Sequence, residues 1–139
     1  MRTRSGAAAA AALALTLTVP AGATQAADAR GNDWTRVTTL DHAKLQACKE
    51  ATTKDGPWKI RLRVNAKRAT TAVKASADAQ KQGEQVGRSW RSGWIHPGEV
   101  SAIGTVRLPR GTAYVLETQL ESHSSGVGIA GSVRSIGRC

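Results

Sequence analysis

The chemistry that this chain's side chains could perform is limited by which of them stand close together. Three histidines, His42, His96 and His123, lie far apart, and His123 sits in the run Ser122-His123-Ser124-Ser125. A hydrolytic triad is defined by geometry, a base within reach of a nucleophile and an acid orienting that base. The local Gly-x-Ser-x-Gly turn that exposes a serine nucleophile does not occur. No two histidines are spaced i,i+4, and no HExxH or calcium-loop pattern is present, so no metal or cofactor is expected. Glu117 and Glu121 share one face if their segment is a strand, but about 13 Å then separates them, at roughly 3.3 Å per residue. That exceeds the carboxylate spacing used for glycoside hydrolysis. The chain reads as a non-enzyme.

Charge carries more information. The 139 residues hold 20 Lys+Arg against 10 Asp+Glu, a formal net charge of +10. Six cations, Lys59, Arg61, Arg63, Lys67, Arg68 and Lys74, fall within 16 residues that contain no acid. A patch of one sign concentrates polyanions and binds them with strong salt dependence. No nucleic-acid motif accompanies the patch, so sequence-specific readout is not expected. A second candidate surface is the loop Arg91, Trp94, Ile95 and His96, because exposed Trp and Arg anchor protein interfaces.

These residues must be positioned by short strands. Trp58, Ile60, Leu62 and Val64 alternate with Lys59, Arg61, Arg63 and Asn65, the period of a half-buried strand. Val73 to Gln80 alternates again with small residues inward, and Gln82-Gly83 punctuates it before Glu84 to Ser92. Pro97-Gly98 precedes a strand over Glu99 to Leu108. Pro109-Arg110-Gly111 is expected to close a hairpin into Thr112–Ser122, with Tyr114, Leu116, Thr118 and Leu120 on one face. A glycine-rich strand covers Gly126 to Arg138. Residues 43–51 fit a strand, with a helix capped by Asp41 as the alternative. About seven short strands in about 100 residues predict an all-β, antiparallel domain, either an immunoglobulin-like sandwich or a small β-barrel.

The first residues have a different character. Arg2 and Arg4 precede an apolar run from Ala7 to Val19, then Pro20 and small residues. That is the layout of a secretory signal over residues 1–26, with cleavage after residue 29 as the alternative. The run is too short for a membrane span, which needs about 20 residues. Residues 27–42 are expected to form an N-terminal arm and residues 43–139 the β domain. In an exported chain the two cysteines, Cys48 and Cys139, are expected to form one disulfide. The expectation is a secreted bacterial protein that binds envelope or extracellular polyanions through the basic strand. The alternative is an inhibitor or ligand of an extracellular protein, acting through the Trp94 loop.

Overall fold

A computed structural model describes residues 34–139; the segment expected to be a secretory signal and the first part of the expected arm lie outside them. Eight strands follow one another: β1 (Thr35–Leu40), β2 (Ala43–Ala51), β3 (Trp58–Asn65), β4 (Val73–Lys81), β5 (Glu84–Ile95), β6 (Gly104–Leu108), β7 (Tyr114–Ser122) and β8 (Gly126–Gly131). A single 3-10 turn covers Val133–Ser135. Among the described residues no helix is long and apolar enough to cross a membrane.

The strands form two antiparallel four-stranded sheets, in the orders β1-β2-β3-β6 and β5-β4-β7-β8. We call them sheet A and sheet B. Alternation in the sequence becomes alternation in burial: Ile60, Leu62 and Val64 of β3 are buried, as are Val73, Ala75, Ala77 and Ala79 of β4. These residues join Ala43, Leu45, Ala47, Val106, Leu108, Leu116 and Leu120 in one apolar cluster between the sheets. The arrangement is sandwich-like, and among the described residues no strand is shared between the two sheets.

Two hairpins turn on residues with positive φ. Asp41 (φ 48°) and His42 (φ 64°) join β1 to β2, and Gln82 (φ 53°) and Gly83 (φ 86°) join β4 to β5. Two consecutive left-handed residues match the right-handed twist of the flanking strands. Asp41 therefore makes a turn rather than a helix cap, and it accepts a hydrogen bond from Thr71 Oγ1 at 3.0 Å.

Three expectations need correction. Residues 35–40 of the expected arm form β1, paired with β2 from Thr35↔Ala47 to Leu40↔Ala43. A bulge at Val37 breaks the two-residue period there, which is why the sequence did not read as a strand. The strand expected over Glu99–Leu108 is interrupted. Val100 makes an isolated bridge to Asn65, and the Ser101 hydroxyl accepts the Val64 N–H at 2.8 Å before β6 begins at Gly104. Finally, Pro109-Arg110-Gly111 does not close a hairpin: β6 pairs with β3 and β7 pairs with β4, so this turn carries the chain between sheets. Turn residues serve both kinds of connection, and only the pairing of distant strands separates them.

Beyond β8 the chain crosses back to sheet A. Ile136 enters the core, and Lys49 N–H donates to Gly137 O at 2.9 Å while Cys139 N–H donates to Lys49 O at 3.1 Å. The tail thus continues along the edge of β2 where β1 stops, and a Cys48–Cys139 disulfide fastens it.

Candidate functional site

The register of sheet A determines which side chains share its outer face. Cys48 of β2 lies opposite Arg61, Gln46 opposite Arg63, Glu50 opposite Lys59 and Lys44 opposite Asn65. On the far side of β3, Arg107 lies opposite Lys59 and Thr105 opposite Arg61. Across β2, Arg36 of β1 lies opposite Gln46. Directly opposed residues in an antiparallel ladder project to the same side. Six cations, Arg36, Lys44, Lys59, Arg61, Arg63 and Arg107, therefore share one face with a single carboxylate, Glu50.

Glu50 holds two of them, with Lys59 Nζ at 3.5 Å and Arg61 Nε at 2.6 Å. Arg63 Nε donates to Gln46 Oε1 at 3.0 Å, and its guanidinium stacks 4.2 Å from the centre of the Trp34 ring. Desolvation lowers the pKa of Arg63 from its usual value, but the guanidinium stays charged at neutral pH. Arg36, Lys44 and Arg107 form no ion pair among the described residues. Lys67 and Arg68 extend the charge past the end of β3, where they line a shallow groove with His42, Lys44 and Asn65. From Lys59 to Asn65 the row runs roughly 20 Å, at about 3.3 Å per residue.

Five of the six cations expected from sequence are therefore together, and the sixth is not. Lys74 stands on the outer face of sheet B, opposite Glu121, with Nζ 3.1 Å from its carboxylate. That face mixes Lys74 and Arg91 with Asp78, Glu117 and Glu121. The charge of the sandwich is thus lopsided. Sequence reasoning missed Arg36, Lys44 and Arg107 because Arg36 and Arg107 are the lone charges of their strands, and four uncharged residues separate Lys44 from Lys49 and Glu50 in β2. Pairing across three ladders brings them together.

The expected partner loop is not a loop. Arg91, Trp94 and Ile95 belong to β5, Ile95 is buried, and only His96 begins the connection. Trp94 is 41% exposed and stacks on His123, with ring centroids 4.2 Å apart and planes 19° apart. Lys74 Nζ lies 5.2 Å from the same ring. His42 is a turn residue, and no histidine side chain is hydrogen-bonded to a serine or a carboxylate among the described residues.

A second cationic region caps the opposite end of the sandwich. Trp58 has Arg110 4.4 Å and Lys49 5.4 Å from its ring centre, and Lys81 lies 5.6 Å from the Tyr114 ring. The cleft there has a volume near 220 Å³, below the 300–1,000 Å³ usual for drug-sized ligands. Lys49 Nζ donates to Val133 O at 2.9 Å, which ties the ammonium to the 3-10 turn. Burial, and then the nearby Arg138, lower its pKa from the usual lysine value. No family model, curated protein or solved structure matches this chain.

Proposed function

We propose that this is a secreted, non-enzymatic protein that binds envelope or extracellular polyanions through the outer face of sheet A. The observation that carries this reading is the gathering of six cations from four strands against one carboxylate. A rigid sheet presents those charges at fixed spacing, so a flexible anionic chain can neutralise several without ordering the protein. Binding of this kind releases counterions, and its affinity falls steeply with salt. If about six anionic groups are neutralised, the slope of log K against log salt is on the order of −5, taking about −0.9 per group.

The test is retention of the mature, oxidised protein on isolated envelopes and on a defined polyphosphate resin, each across a salt series. The double variant Lys44→Glu/Arg107→Glu should elute at much lower salt. Lys74→Gln should elute with the wild type, because stacked sheets lie about 10 Å apart and Lys74 is on the other one. Equal elution of the wild type and the double variant would sink the proposal.

The exposed Trp94–His123 stack supports a second reading, an inhibitor or ligand of an extracellular protein. Aromatic residues anchor interfaces through apolar contact that salt does not weaken. Here Trp94→Ala should abolish a saturable interaction that survives high salt, and an unchanged interaction would exclude this surface.

A further inference from the structure

A sandwich of two open sheets has four edge strands, and three of these are protected. β1 carries the bulge at Val37 and is continued by the disulfide-bound tail. β5 shifts register twice against β4, near Gly93 and Gly87, which have φ of 69° and 82°, and it carries Arg88 and Arg91. β6 is five residues long, carries Arg107 and is followed by Pro109. Bulges, charges, prolines and short length are the devices by which edges avoid pairing with other chains. β8 carries no bulge, charge or proline. Its sequence is Gly-Val-Gly-Ile-Ala-Gly, it pairs only with β7, and its register there is unbroken from Gly126 to Gly131. No other backbone hydrogen bond reaches it among the described residues.

The space beside β8 has a matching shape. Between the edges of β8 and β1 lies a groove of about 160 Å³ lined by Val37, Leu116, Ile129 and Ile136, with Arg36 at its margin. Ile129 is 38% exposed on this side. A strand added to β8 would lie over the groove and face it with every second side chain.

We propose that the added strand is β8 of a second copy of this chain, paired antiparallel about a two-fold axis at Gly128. The pattern of β8 is self-complementary. Val127 and Ile129 face the groove side, opposite Leu120 and Thr118, whereas Gly126, Gly128 and Ala130 face out. A two-fold that keeps like faces together must pass through a residue, because directly opposed residues share a face. Centred on Gly128, it sets Val127 of each copy opposite Ile129 of the other and buries both. Centred on Ile129, it would oppose Val127 to Gly131 and bury less.

Charge permits the contact. β8 is neutral in a strongly basic chain, and the nearest carboxylates on the ladder, Glu117 and Glu121, stand one strand inward on β7. The β7 strands of the two copies are then three strand spacings apart, about 14 Å. That is beyond the screening length of about 8 Å in physiological salt. The two-fold is perpendicular to the joined sheet, so both copies turn sheet A the same way. The dimer does not rest on the polyanion reading. Its consequence for that reading is two basic faces on one side of one particle, which raises avidity on a long anionic chain without new contacts.

The test is sedimentation equilibrium of the mature, oxidised protein in the absence of any polyanion. The wild type should be a dimer at micromolar concentration. Ile129→Lys, which places a charge on the pairing face beside Arg36, should raise the dimer dissociation constant by about tenfold or more and leave the circular dichroism spectrum unchanged. A second pair of variants reads the register. Gly128 lacks positive φ, and a Cβ there meets only ordinary contacts, the nearest being Gln119 Cγ at 3.7 Å. Gly128→Cys should cross-link, because opposed Cα atoms lie about 4.5–5.5 Å apart, within disulfide reach. Ala130→Cys should not, because the two sulfur-bearing residues are then about 13 Å apart along the strands. A monomer at all concentrations, a dimer indifferent to Ile129→Lys, or equal cross-linking of the two cysteine variants would each overturn the proposal. None of those outcomes bears on whether sheet A binds polyanions.

Discussion

Cys48 and Cys139 meet on the outer face of sheet A, with Cα atoms 4.9 Å apart and a separation of 91 positions in sequence. Cys48 is out of phase with its strand: Ala43, Leu45 and Ala47 point into the core, and Cys48 points away from it. It is nonetheless fully buried. The disulfide therefore holds a tail across a sheet edge rather than filling the core. That tail delivers Ile136 to the core and forms one wall of the cleft beside Trp58.

Removing the bond should be expensive. A loop of this length gives a chain-entropy estimate of about 4.6 kcal/mol, and native disulfides in small secreted domains typically contribute about 2–5 kcal/mol. We predict that Cys48→Ala/Cys139→Ala lowers the unfolding free energy by an amount in that range. Hydrogen exchange should show residues 132–139 losing protection first. Denaturant titration of the variant beside the wild type checks the first statement, and amide exchange checks the second.

Gly104 and Trp90 form a second local dependence. The Trp90 indole from β5 lies directly over Gly104, and a Cβ at that position would fall within the ring. Gly104→Ala should therefore force Trp90 out of its place, at about 1–3 kcal/mol as for other overpacked sites. Combining it with Trp90→Leu should cost less than the sum of the two single changes. A double-mutant cycle by thermal unfolding measures that coupling.

Why some of this was legible in the sequence, and some not, has a physical basis. β3 and β4 are central strands with one face on the core, so Ile60, Leu62 and Val64, or Val73 through Ala79, alternate cleanly with polar residues. The edge strand β1 has a bulge, and the connection from Glu99 to Gly104 bends at Ser101, so neither keeps period two. The basic face was legible in part for the same reason. Lys59, Arg61 and Arg63 share a face because they lie on one strand, which is local information. Lys74 lies only 11 positions beyond Arg63, yet the chain crosses to the other sheet between them. Arg107, far away in sequence, stands opposite Lys59. Register and layer are properties of distant pairing, and a single strand's pattern does not contain them.

Lys49 gives the fold an alkaline signature. Its pKa is lowered in the folded protein, first by burial and then by Arg138. The unfolded chain therefore holds this proton to higher pH than the folded one. Between the two pKa values the unfolded state binds more protons, so stability attributable to Lys49 rises with pH across that window and is flat below it. We predict that the stability difference between the wild type and Lys49→Met shifts in favour of the wild type as pH rises through the window below 10.5 that the lowered pKa opens. Urea titrations of both proteins at pH 7, 8, 9 and 10 isolate the term, because the other titrating groups are common to both.

Glu50 tests the electrostatic argument from the opposite direction. Among the described residues it is the only carboxylate the register places on the outer face of sheet A, and it engages both Lys59 and Arg61. The ion-paired side chains are 26–37% exposed, so the pairs contribute modestly to stability, about 0.2–1 kcal/mol each by comparison with other exposed pairs. Glu50→Gln keeps the shape and a hydrogen-bonding oxygen while removing the charge. Stability should fall by no more than about 1 kcal/mol. Affinity for a polyanion should instead rise, because two cations are freed and one repulsive charge is removed. The salt dependence should steepen by about one unit of slope for each additional anionic group neutralised. Measuring polyphosphate binding of Glu50→Gln and the wild type across a salt series decides the matter. A loss of affinity at constant stability would mean that the Glu50–Arg61 pair orients the guanidinium for its ligand, and that charge density alone does not make the surface bind.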